Sequence, residues 1–132
     1  MGIAMQMKIS DLCDKWTILR MKVRFDSALE PEEKAYGREV ELFMRETNQL
    51  WPFLSALLTL AESNARVWEN EAAVRKEYKG DLASLQTLTL EEIGRRSCLI
   101  RDYNALRIGA KIEIDKIEGK IPERKFDHAS GQ

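Results

Sequence analysis

A single histidine, two cysteines and three prolines are all that this chain of 132 residues holds of those types, and each scarcity removes a class of chemistry. The histidine, His128, lies in the C-terminal tail, so acid-base or triad catalysis built on histidine has no centre to form around. Cys13 and Cys98 are too few and too far apart to make a metal motif, and two reduced, partly buried thiols are expected. There is no glycine-rich phosphate loop and no G-x-S-x-G turn. No metal and no cofactor is therefore expected. No apolar run approaches the roughly 20 residues that span a bilayer, and Met1 to Met7 show no basic segment leading into an apolar one, which predicts a cytoplasmic protein. Charge of one sign is also lacking, with 21 Lys and Arg against 22 Asp and Glu. Such a balance gives no net field to steer nucleic acid or an anionic membrane.

What the chain does have is charge and helical periodicity. Charged residues make up 33% of it, the composition of long helices that expose more than half their circumference. Elongated helices in a short chain complete their burial by pairing with another copy, so a homo-oligomer is expected, most simply a homodimer.

The pattern predicts an all-α, elongated antiparallel hairpin or bundle of three to four helices. Ser10 is suited to cap a first helix over about 11–28, with Asp11 and Asp14 at the positive end of its macrodipole and Ile9, Leu12, Trp16, Leu19 and Val23 at three-four spacing. Glu30-Pro31-Glu32-Glu33 restarts a helix, because proline at the first helical position loses no needed donor. A coiled-coil stripe then runs through Tyr36, Val40, Phe43, Leu50, Leu54, Leu57, Ala61, Trp68 and Tyr78. Since the stripe keeps its phase through Pro52, one helix over 31–79 kinked near 48–52 is inferred, roughly 70 Å long, with two helices meeting at Trp51-Pro52 as the alternative. Gly80 is placed to cap it. Thr89-Leu90-Glu91-Glu92 has the form of a capping box and opens a last helix over about 90–121, ended by Pro122. One helical domain over 1–121 and a disordered tail over 122–132 follow. Trp16, Trp51 and Trp68 read as core or interface anchors. Gly94 and Gly109 each weaken the last helix by about 1 kcal/mol against alanine, and close helix approach is the simplest reason for them.

Thr47, Asn64, Glu71 and Arg75 interrupt the stripe where Leu or Ile belongs. If the two long helices pair about the loop at 80–88, residue numbers summing to roughly 168 lie opposite one another. Asn64 then faces Asn104, and Glu71 faces Ser97, with Arg107 and Lys111 following on the same face. Unpaired buried charges cost several kcal/mol, so this layer must close internally, reach water or bind something. One reading is an internal network that sets helix register and oligomer state. The other is a cleft in which Arg75, Arg107 and Lys111 clamp an anion, Asn64 and Asn104 orient it, Glu71 accepts a proton or hydroxyl, and Trp68 stacks on a ring. A carboxylate-held Mg²⁺, as in all-helical nucleotide pyrophosphohydrolases, needs acidic pairs on facing helices, whereas Asp11, Asp14, Glu30 and Glu33 are assigned to capping turns.

Three segments together resemble a family of short bacterial α-helical hairpin proteins of unknown function. Ile9 to Lys22 follows its I-S-x-L-x-D-K-x-T-I-L-x-x-K pattern. Asn64, Trp68, Glu71, Arg75 and Glu77 follow N-x-x-x-W-x-x-E-x-x-x-R-x-E, and Asn104, Arg107, Lys111 and Glu113 follow N-x-x-R-x-x-x-K-x-E. Ala72, where an acidic residue often stands, and Pro52 depart from the pattern. The resemblance implies an elongated helical hairpin, in some bacteria encoded near surface-polysaccharide genes, and no established activity. The leading expectation is a non-enzymatic homo-oligomeric scaffold or interaction module, with an accessory role in sugar or envelope metabolism as its context. The alternative is a protein or enzyme that binds a small anionic ligand, such as a nucleotide or sugar phosphate, between the long helices.

Overall fold

A computed structural model describes residues 7–78, with side chains to 75, and residues 88–119. Four α-helices account for nearly all of them: α1 at Ile9–Lys22, α2 at Glu30–Glu46, α3 at Leu50–Tyr78 and α4 at Leu90–Glu118. A short 3-10 turn at Ser27–Leu29 precedes α2, and the described residues contain no strand. The chain is therefore all-α. The proposed cap at Gly80, the reversal through residue 87 and the tail from residue 120 lie outside the described residues.

α3 and α4 form the long pair, and α1 packs against α2, α3 and α4. Their antiparallel sense is fixed by side chains: Arg96 on α4 donates to Asn70 on α3 at 3.1 Å, while Asn64, lower in number, shares a partner with Arg107, higher in number. The core forms where α1 meets the other three helices. It joins Ile9, Leu12, Cys13 and Leu19 to Tyr36, Val40 and Phe43, to Phe53, Leu57 and Leu60, and to Ala110, Ile114 and Ile117.

The region around Pro52 is a break between two helices, the alternative given above, and not a kink in one continuous helix. Thr47 is extended, and its hydroxyl accepts the Gln49 amide at 3.0 Å, while Phe53 N–H donates to Gln49 O at 3.0 Å to begin α3. Pro52 thus falls in the first turn of a new helix, where a missing N–H is harmless, and the Asn48 carbonyl that its ring would have struck lies outside that helix. The break also resets the phase. In α2 the buried line is Tyr36, Val40 and Phe43, as expected, but in α3 it moves to Phe53, Ala56, Leu57, Leu60, Ser63, Asn64 and Asn70. Leu50, Glu71 and Arg75, all expected to point inward, are exposed.

The first helix differs from expectation at both ends. It starts at Ile9, with Lys8 at the cap position making no side-chain bond, so Ser10 is not a cap. It stops at Lys22, and the residues beyond it form the separate turn, which Asp26 caps by accepting the Ala28 amide at 3.1 Å. Asp26 competes there as short polar side chains do, by offering the backbone a local acceptor. At α4 the expected cap is present: Thr89 accepts the Glu92 amide at 3.0 Å.

Close helix approach occurs at a glycine the periodicity did not single out. A Cβ on Gly37 would sit 2.9 Å from Nε1 of Trp16, so α2 touches the α1 indole directly, and that indole donates to the buried Glu33 at 2.8 Å. Gly94 and Gly109 behave otherwise. Beyond their own stretch of helix, nothing among the described residues lies within 4 Å of a Cβ built on either, so close packing among those residues does not explain them. Trp51, read as an anchor, is 78% exposed.

Candidate functional site: a three-helix polar cluster

Asp14 is the centre of the polar layer. It lies on the inner face of α1 with Ser10 and Thr17, one helical turn to either side, and all three are buried. Arg107 of α4 grips the carboxylate in bidentate fashion, Nε to Oδ1 at 2.9 Å and Nη2 to Oδ2 at 2.7 Å. From α3, the Asn64 amide donates to Asp14 Oδ1 at 3.0 Å and to Thr17 Oγ1 at 2.9 Å, and the Thr17 hydroxyl in turn donates to Asp14 O at 2.9 Å. Lys111, one turn beyond Arg107, pairs with Asp11 at 2.8 Å and lies 4.0 Å from Asp14. Each of the three motif-bearing segments thus contributes to one cluster.

Its electrostatics follow from this geometry. Burial by itself would raise the Asp14 carboxyl, but the hydrogen bonds from Arg107 and Asn64 and the charges of Arg107 and Lys111 outweigh it and hold the group below the ordinary carboxylate range. The bond to Asp14 in turn raises the Arg107 guanidinium, against the opposing effect of its own partial burial. A bidentate Arg–carboxylate pair with an amide completing the carboxylate's shell is a closed arrangement, with both charges balanced inside the chain.

A second set of contacts extends the cluster toward the end of α4. Glu118 accepts the Ile9 amide at 3.2 Å, and Ser10 Oγ donates to Asp115 at 2.5 Å. Glu118 of the last helix therefore satisfies an amide of the first turn of α1, doing from a distance what a local cap would have done, while Asp115 holds the Ser10 hydroxyl. Asp11 and Asp14 thus do more than suit the macrodipole of α1: their partners are the cations Lys111 and Arg107 of α4.

The seven sequence-predicted site residues divide. Asn64, Arg107 and Lys111 meet at Asp14. Asn104 is half-buried one turn before Arg107, and Glu71 and Arg75 are exposed and take no part in the hydrogen bonds around Asp14. Trp68 faces elsewhere, edge-on to Phe25 with ring centroids 5.6 Å apart, at a groove of about 420 Å³ that Met21, Ala65 and Ala72 also line. Asp14, Thr17, Asp115 and Glu118 were missed. The signal for the first two was present: Ser10, Asp14 and Thr17 form a polar line at helical spacing among apolar neighbours.

No family model, curated protein or solved structure matches this chain. The cluster must therefore be read from its own chemistry. Among the described residues no group of three or more His, Cys, Asp or Glu side chains is placed to hold a metal ion, and no helix is long and apolar enough to cross a membrane.

The two thiols are free and differ sharply in setting. Burial, together with the nearby charges of Glu118 and Asp14, pushes the Cys13 thiol up to about 12, whereas Cys98 is exposed. Because the thiolate is the nucleophile, iodoacetamide at about pH 8 is expected to alkylate Cys98 in the native protein and Cys13 only after denaturation. Peptide mass spectrometry distinguishes the two adducts, and rapid native labelling of Cys13 would mean that α1 opens readily.

Proposed function

We propose that the chain is a non-enzymatic helical scaffold or interaction module that works as a homo-oligomer, its polar layer serving to fix how the helices dock. The observation that carries this reading is the closure of the cluster. Arg107 and Lys111, two of the three cations expected to clamp an anionic ligand, are already engaged by Asp14 and Asp11, and the third, Arg75, is exposed on α3. A ligand at this point would have to displace an intramolecular bidentate pair, losing as much charge pairing as it gained. Polar groups at otherwise apolar contacts are well attested as devices that select register and assembly.

Light scattering during gel filtration at micromolar concentration tests the reading, with a mass of two or more chains expected. Thermal denaturation with millimolar inorganic phosphate or ATP added tests the ligand alternative. Saturation at a hundredfold over the dissociation constant stabilises a protein by about 2.7 kcal/mol, so an anion site would announce itself as a rise in melting temperature. No rise is expected. A monomer, or a clear rise that Arg107→Met abolishes, would overturn the proposal.

A further inference from the structure

The outer face of α4 changes character abruptly between Asp102 and Glu113. Every exposed position in that interval is apolar or glycine: Ala105, Leu106, Ile108, Gly109 and Ile112. Leu106 is 53% exposed, Ile108 55% and Ile112 48%. At about 100° per residue, Ala105, Ile108, Gly109 and Ile112 share one sector of the helix, directed away from the buried Ala110, Ile114 and Ile117. Gly109 stands in the middle of this sector with open space around it, although glycine weakens a helix interior and nothing among the described residues calls for it.

Charges border the patch at both ends and in a telling order. Arg101 and Asp102 lie before it, Glu113 and Lys116 after it, and each pair makes only an exposed contact within its own helix, at 3.3 Å. Such contacts contribute little by themselves and leave these groups able to pair elsewhere. A second α4 laid parallel and in register would set Arg101 against Arg101 and Glu113 against Glu113. Laid antiparallel about a two-fold axis at residue 107, so that facing numbers sum to 214, it sets Arg101 against Glu113 twice. The same register places Ala105 opposite Gly109, where two helices can come close.

We infer that this face is the self-association surface, and that it takes the α4 helix of a second copy in antiparallel register centred on residue 107. The inference rests on the homo-oligomeric reading above and names its surface and geometry.

The test is a set of variants compared by sedimentation equilibrium, with circular dichroism confirming helicity. Ile108→Glu places a charge in the apolar sector at an exposed site, so the fold is retained and the dimer dissociation constant is expected to rise more than a hundredfold. Arg101→Glu and Glu113→Arg, made singly, each turn two facing pairs into like charges and raise it roughly tenfold. Combined, they restore opposite charges in the antiparallel register and return the constant to near the wild-type value. If the wild-type chain is a monomer, both the oligomer reading and this surface fail. If it is an oligomer that Ile108→Glu leaves unchanged, only the surface is overturned, and a double variant no better than its singles overturns the antiparallel register.

Discussion

Replacing Asp14 with asparagine should lower the melting temperature by roughly 8–15 °C, the equivalent of about 2–4 kcal/mol for a chain of this size. The substitution keeps the shape and the contact with Asn64 but leaves the Arg107 guanidinium, half-withdrawn from water, facing a neutral amide. Arg107→Met should cost less, because Lys111 and Asn64 still attend the carboxylate. The double variant should regain about 1–3 kcal/mol relative to the sum of the singles, since it removes both charges together. A binding site would respond in the opposite way, with single neutralisations neutral or stabilising. Acid adds a second readout. The carboxyl of Asp14 is lowered in the folded protein, so its contribution is full above the ordinary aspartate value near 4 and disappears as pH falls below that and through the folded value. Below about pH 4, wild type should therefore lose its advantage over Asp14→Asn, and denaturant midpoints measured across that range would reveal a constant gap if the pair were unimportant.

Phe53→Ala should be at least as damaging, with a loss of about 3–5 kcal/mol. Phe53 has no exposed surface and meets Phe43 edge-on, ring centroids 4.9 Å apart and planes inclined at 60°. The two rings lie on either side of the break at Thr47 to Gln49, so they hold α2 and α3 in fixed relation where no backbone helix does. A double cycle with Phe43→Ala should show coupling of about 0.5–1.5 kcal/mol, the usual worth of an aromatic pair beyond its area. By contrast Trp51→Ala, two positions away and largely exposed, should change the denaturant midpoint hardly at all. Equal losses at positions 51 and 53 would mean that α3 is rotated from the orientation described.

The helical class, the capped start of α4 and the antiparallel pairing of the two long helices were legible because they rest on local periodicity and short-range caps. Asn64, Arg107 and Lys111 were legible for a similar reason, as polar residues standing in apolar lines. Asp14 was not, because an acid near the start of a helix already has a sufficient local explanation, and its true partner is 93 residues away. The break at Thr47 was obscured by coincidence: leucines at 50 and 54 continue the stripe on paper although the helix that bears them has been rotated, with Leu57 still reaching the core. Glu71 and Arg75 were carried inward by the same false phase.

The attachment of Ile9 to Glu118 spans 109 residues and that of Ser10 to Asp115 spans 105. During synthesis the first helix leaves the ribosome long before the carboxylates that complete its first turn have been made, an interval of roughly 5–20 s at ordinary elongation rates. Throughout that time α1 has neither its Arg107 counter-charge nor its N-terminal acceptors. Closure of the fold is thus timed by the last helix to emerge, and the inner face of α1, with Leu12 and Cys13 in it, is the surface that a nascent chain must keep from wrong partners meanwhile.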